Sequence, residues 1–382
     1  MTRRNLDSST RRRFLLGTTA LGTAGVAGCT GLFGDDGDEG NGNESGNESE
    51  IGQIGSGREG RDAPGGTPMD EMPPLEGELT VYSGRGEFLV GDLLQYIEEQ
   101  YDDFSVDVRY GDSTDLVNQI ITEGEGTPAD VFYSVNAGSL GALADEGRTR
   151  SLPDDLLELV REEFRAESWI GTSGRARTVP FNTEALSADD MSNSIDDYSG
   201  GFEGSLGWAP SYGSCQAFVT AMRLLRGEEE TRQWLEGVVE SGITDYPDEF
   251  ATCQAIADGE IDAGFTNHYY IQRVLDGSPD APIETSFTQG DAGAIFNVAG
   301  GAVTDAAADV DLGANFIRHL LSAEAQDYFA RTTFEYPLIP DVEPVGDLPT
   351  IDELNPPSEL DLTQLSDLEP TINLMRDVGI DV

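Results

Sequence analysis

The chain contains no lysine. All 22 basic residues among its 382 are arginine, against 72 Asp and Glu, for a formal net charge of -50. Without lysine there is no GxxxxGK phosphate loop, and Gly84-Arg85-Gly86 alone is no nucleotide fingerprint. Histidine is nearly as scarce, with only His268 and His319. Of three cysteines none stands in a CxxC or CxxH spacing, so a zinc site has no support. So strongly acidic a surface excludes nucleic acid as a partner.

The acids are spread over every segment. In ordinary salt their mutual repulsion would destabilise the fold, whereas in molar salt the Debye length is about 3 Å and most of it is screened. The composition therefore predicts a surface adapted to very high salinity, and a halophilic archaeon as the source.

The first residues, 10-TRRRFLLGTTALGTAGVAGC-29, join a twin arginine to a short run of small apolar residues. Spanning a bilayer takes roughly 20 strongly apolar residues, so this layout predicts an export signal over residues 1-29. Ala27-Gly28-Cys29 resembles a lipobox, which predicts lipidation at Cys29 and a location outside the cell, anchored to the outer face of the membrane. Residues 30-77 are rich in Gly, Asn, Ser and acids and predict a disordered tether. The remaining cysteines, Cys215 and Cys253, each open a Cys-Gln-Ala tripeptide. Outside the cell they fit either a disulfide or two buried thiols.

From Glu78 onward, short β-rich runs such as 79-LTVYSG-84, 130-DVFYSV-135 and 262-DAGFTN-267 alternate with helical patterns. Apolar residues recur at helical spacing at Leu89, Leu93, Leu94 and Ile97, at Leu157, Val160 and Phe164, and at Phe218, Met222 and Leu225. This alternation over about 300 residues predicts an α/β fold of two doubly wound lobes with a central cleft. The boundaries fall at 78-178 plus 289-338 for the first lobe and 179-288 plus 339-382 for the second.

Ligands of such folds bind beyond the carboxyl ends of strands, where the special residues lie. The loop Ser211-Tyr212-Gly213-Ser214 runs from a strand into a helical pattern and offers unpaired N-H groups to an anion. Arg175 and Arg177 alternate on a strand, so one of the two reaches the cleft. The adjacent Tyr269 and Tyr270 are either strand-end aromatics or a pair of hard phenolate donors for ferric ion. Ser214 and Cys215 could be nucleophiles, but neither has a histidine near it in sequence, and no enzymatic activity is expected.

Six segments in this order resemble the periplasmic ferric-ion-binding proteins of ABC importers, whose fold is of the type II periplasmic-binding-protein kind. They are 79-LTVYSGR-85, 128-PADVFYS-134, 169-WIGTSGRAR-177, 206-LGWAP-210 with 217-AFVTAM-222, 258-DGEIDAGFTNHYY-270 and 334-FEYPLIP-340. The resemblance implies Fe3+ as cargo, ligated by Tyr269 and Tyr270, with a synergistic anion, carbonate or phosphate. Arg175, Ser211, Tyr212, Gly213, Ser214 and Asn267 would hold that anion. It also implies a monomer that docks on an ABC importer permease. Many relatives carry histidine or tyrosine where Gly86 and Glu87 stand, some a tyrosine where Phe181 stands, and others an acid where Val135 and Asn136 stand. Glu87 is then the expected first-lobe ligand. The thin ligand set leaves an alternative cargo, an oxyanion, an organophosphonate or chelated iron. His268 falls outside the ligand positions.

Overall fold

The computed structural model describes residues 64–382; the expected signal, Cys29 and most of the expected tether lie outside them. The chain enters through β1 (Gly77–Ser83), α1 (Glu87–Glu99), β2 (Phe104–Tyr110), α2 (Ser113–Glu123), β3 (Val131–Ser134) and α3 (Ala137–Asp145). α1 buries Val90, Leu93, Leu94 and Ile97, one stripe of a 3.6-residue period. The Asp112 carboxylate starts α2 by accepting from the Thr114 and Asp115 N-H groups.

The Leu157, Val160 and Phe164 pattern does not make one helix. After a single turn, α4 (Asp154–Leu157), Arg161 is extended, and a 3-10 turn at Glu162–Phe164 follows. The spacing still marks burial, since all three side chains reach the core. A short β4 (Arg165–Ala166) leads into β5 (Trp169–Asn182).

Beyond β5 come β6 (Leu206–Trp208), α5 (Gly213–Arg226), α6 (Glu228–Glu240), β7 (Thr244–Asp245), α7 (Glu249–Ala257), β8 (Ala263–Gly264) and β9 (Thr266–Asn267). Then follow α8 (His268–Gly277), β10 (Ile283–Ser286), β11 (Phe296–Val303), α9 (Val310–His319), α10 (Ala323–Tyr328), β12 (Tyr336–Pro337), α11 (Ile351–Leu354) and α12 (Leu368–Asp377).

The strands run in the order β2-β1-β3-β11-β5-β8-β6-β7. β5 belongs to both halves of that series. Its residues Ile170–Ala176 pair antiparallel with β11, whereas Arg177–Asn182 pair with β9, β8 and β10. Parallel pairs on either side, β1 with β2 and β3, and β6 with β7 and β8, are joined through helices as α/β units require.

Apolar side chains gather accordingly. One core draws on residues 69–176 and 296–354, a second on 179–295 and 365–380, and a smaller third lies around Cys253, Ile256, Tyr270 and Ile271. Two sequence expectations shift here. Met69, Met72 and Leu75, placed at the end of the tether, are buried, and the Met69 N-H donates to Glu324. Ile339, Val342 and Leu354 join the first core, so the C-terminal segment is shared by both halves. Cys215 and Cys253 are free, buried thiols in different cores, so the disulfide alternative fails. The Cys253 thiol donates to the Thr266 hydroxyl.

Candidate metal centre

A cleft of about 460 Å³ opens between the two halves of the fold. Arg85, Phe88, Asp112, Val135, Asn136, Arg175 and Asn297 line one side, and Tyr212, Gly213, Ser214, Asn267, Tyr269, Tyr270 and Arg273 the other. Tyr269 and Tyr270 stand in the first turn of α8, directly after β9. Neighbours in a helix are about 100° apart, which lets both side chains lean towards one point where strand neighbours would diverge. Their rings lie 4.4 Å apart, and the Arg273 guanidinium covers both at 4.9 and 5.3 Å.

A third phenol meets them. The Tyr212 hydroxyl, at the N-cap of α5, is 2.7 Å from the Tyr270 hydroxyl. Burial, then the neighbouring Tyr269 phenol and the hydrogen bond to Tyr212, push Tyr270 far above the ordinary tyrosine range. Burial also raises Tyr269, and the Arg175 charge draws it part of the way back. This keeps Tyr269 and Tyr270 protonated at neutral pH, so only a strongly Lewis-acidic cation could displace their protons.

Behind the phenols lies a buried carboxylate, Glu249. It pairs with Arg177, accepts from the Ser214 hydroxyl at 2.5 Å and from the Asn267 N-H at 2.8 Å, and so fixes the starts of α5 and α8 together. Asn267 in turn donates its side-chain amide to the Tyr269 hydroxyl at 3.3 Å. Arg177 therefore has a structural role, stacked on Phe218, while its alternate, Arg175, faces the cleft. Arg175 donates to the Val135 carbonyl and lies 4.0 Å from Glu335. Glu335 is itself held by Arg85 at 2.5 Å, Thr333 at 2.9 Å and Ser173 at 3.3 Å. Burial opposes its charge, yet Arg85, Arg175 and these hydrogen bonds keep the carboxyl below the usual glutamate range.

Two expected site residues lie elsewhere. Glu87 is exposed and turns towards Gly91 and Tyr110, because Phe88, its helix neighbour, takes the cleft-facing direction. Ser211 is exposed and donates to the Asp381 carbonyl, so only Tyr212, Gly213 and Ser214 of that loop reach the cleft. The first-turn N-H groups of α5 have no acceptor within the helix and remain available to an anion. Phe181 is buried in the second core. His268 is buried against Tyr336, accepts the Ala176 N-H at Nδ1, and burial pushes it down to about 4, all of which suits a packed neutral ring.

Sequence reasoning missed Glu249, Glu335, Arg85, Arg273 and Asn297. Arg85 and Glu335 both stand in segments quoted above for resemblance, the one local signal that could have marked them. Among the described residues no three His, Cys, Asp or Glu cluster as a metal site, so hard donors in the cleft are phenols above all.

A family model described as bacterial extracellular solute-binding protein matches residues 92–355. The major ferric iron-binding protein of Neisseria meningitidis is 28% identical over 318 residues, covering 80% of this chain and 94% of that protein. Iron uptake protein A2 of Synechocystis is 29% identical over 296 residues, covering 73% and 85%. The structure of iron-bound HitA from Pseudomonas aeruginosa shares the fold with a TM-score of 0.70 at 27% identity, over 80% of this chain and 100% of that one. With two halves threaded by one strand and a polar cleft between them, the chain has the type II periplasmic-binding-protein fold and belongs to the bacterial extracellular solute-binding protein family.

Proposed function

We propose that the protein captures ferric ion in the cleft and delivers it to an ABC importer permease, as an extracytoplasmic lipoprotein held by Cys29 after twin-arginine export. The observation that carries this reading is the pair of phenols at the start of α8, Tyr269 and Tyr270, facing Arg175 across a cleft whose carboxylates are already engaged. Phenolate is a hard donor that prefers ferric ion among common cations. The relatives whose names speak of ferric iron support the same cargo. A synergistic carbonate or phosphate would sit between Arg175, Asn267 and the N-H groups of Gly213 and Ser214, completing the coordination. Lobes that follow the two cores, residues 69–176 with 296–354 and 179–295 with 365–380, would close on it. The protein works as a monomer without enzymatic activity, and its acidic surface serves a high-salt exterior.

Iron-free protein titrated with ferric ion should develop a visible phenolate-to-iron charge-transfer band. Tyr269→Phe and Tyr270→Phe should each weaken both colour and affinity; if both variants kept them, the assignment would be wrong.

One observation favours a second cargo. The cleft is lined by three arginines, Arg85, Arg175 and Arg273, against two acids, Asp112 and Glu335, in a chain of opposite overall sign. An oxyanion, organophosphonate or chelated iron would exploit that. Calorimetry on iron-free protein separates the two, since tight anion binding without iron supports the second cargo alone.

A further inference from the structure

Resting on the ferric reading above, we propose that Tyr212 is a third iron ligand, so that the second half of the molecule supplies three phenolate oxygens to one ion. Two oxygens in adjacent positions of an octahedron with bonds of roughly 2 Å lie about 2.8 Å apart. The Tyr212 and Tyr270 hydroxyls already stand at 2.7 Å. Their rings meet edge to face at 6.3 Å, and Tyr270 leans on Tyr269 at 4.4 Å, so the hydroxyl ends of successive rings converge on one region of the cleft.

The local sequence gives Tyr212 no other employment. It occupies the N-cap of α5, a position where Ser, Thr, Asp or Asn would satisfy the helix and where tyrosine makes no side-chain cap. Its backbone is nonetheless fixed, the N-H donating to the Ala209 carbonyl at 3.0 Å and the carbonyl accepting from Gln216 at 3.1 Å. A residue that forgoes the cap and points its oxygen at Tyr270 is placed for the cleft.

The opposite side of the cleft explains the need. Glu87 turns away, Phe181 is buried, Asp112 caps α2, and Glu335 is bound by Arg85. Among the described residues, no free carboxylate faces the phenols. Three phenolates would balance the three charges of ferric ion, leaving Arg175 and Arg273 to meet an anion.

The test uses the full-length protein stripped of iron and titrated with ferric nitrilotriacetate, comparing wild type with Tyr212→Phe, Tyr212→Glu and Tyr270→Phe. Tyr212→Phe keeps the ring and removes only the oxygen, so absorptivity per bound iron should fall by about a third, with loss of one set of tyrosinate resonance-Raman modes. Its affinity in competition with citrate should fall about tenfold or more, and Tyr212→Glu, a hard oxygen donor without visible charge transfer, should restore affinity but not colour. Unchanged absorptivity per iron in Tyr212→Phe, with colour lost in Tyr270→Phe, overturns the third ligand and leaves the ferric reading standing. Absence of any phenolate band in the wild type overturns both.

Discussion

At the scale of single residues, the buried ion pairs decide the most. Arg85 and Glu335 are 250 positions apart and almost wholly enclosed, and removing one partner leaves an uncompensated charge. Arg85→Met should destabilise the fold by about 3–5 kcal/mol, read as a lower denaturant midpoint, with an unchanged midpoint refuting the pair's importance. His319 reports on acid. Its Nε2 accepts from the Tyr101 hydroxyl and its Nδ1 donates to the Asn315 carbonyl, and burial above all pushes it down to about 4. A histidine neutral in the fold but not in the unfolded chain supports the fold fully above pH about 6.5 and loses that support as pH falls towards 4. Wild type should therefore lose about 3 kcal/mol over that window for this ring, and His319→Gln should lose correspondingly less. The thiols make a third case. Burial drives Cys215 and Cys253 up to about 12, so in a Cys29→Ser chain neither should react with a thiol reagent until denaturant is added. The tandem tyrosines stood out in sequence by residue type, whereas Arg175 was singled out only through the resemblance, since strand spacing left it level with Arg177. Glu249 and Glu335 were not, since in so acidic a chain one carboxylate looks like any other until the fold selects it.

Among elements, the period of apolar residues announced α1 and α5, and the short β-rich runs announced β1 and β3. The direction of a side chain at an element's end was not announced. Glu87 and Phe88 are adjacent, and which of them enters the cleft follows from how α1 rolls on its sheet. The same holds for the C-terminal crossing, where the 3-10 turn Leu362–Ser366 lies against α3. A Cβ at Gly138 would stand 2.4 Å from the Ser366 Cβ, and one at Gly141 2.7 Å from that of Thr363. Gly138→Ala should cost about 1–3 kcal/mol and shift Leu365 and Ser366, which rim the cleft, so cargo affinity should change with stability. Unaltered affinity alongside lost stability would separate the crossing from the cleft.

For the whole molecule, the relevant quantity is a charge of -50 carried without lysine. Raising salt from 0.1 M to 1 M shortens the Debye length from about 10 to about 3 Å, so the thermal midpoint should climb steeply with sodium chloride. A midpoint indifferent to salt would sink the high-salinity reading. Two lobes and a cleft followed from the alternation of elements, whereas the packing of Met69 and Leu75 did not, because a few apolar residues at the end of a polar stretch carry no period.

β5 contributes rungs to two ladders, with Arg175 in the last pairs of one and Arg177 opening the other. Any rotation of one half against the other must twist the strand between these ladders. Arg175 faces the cleft and Arg177 is anchored to Glu249, so under the proposed capture the axle of closure and the grip on the load would be two residues apart on one strand.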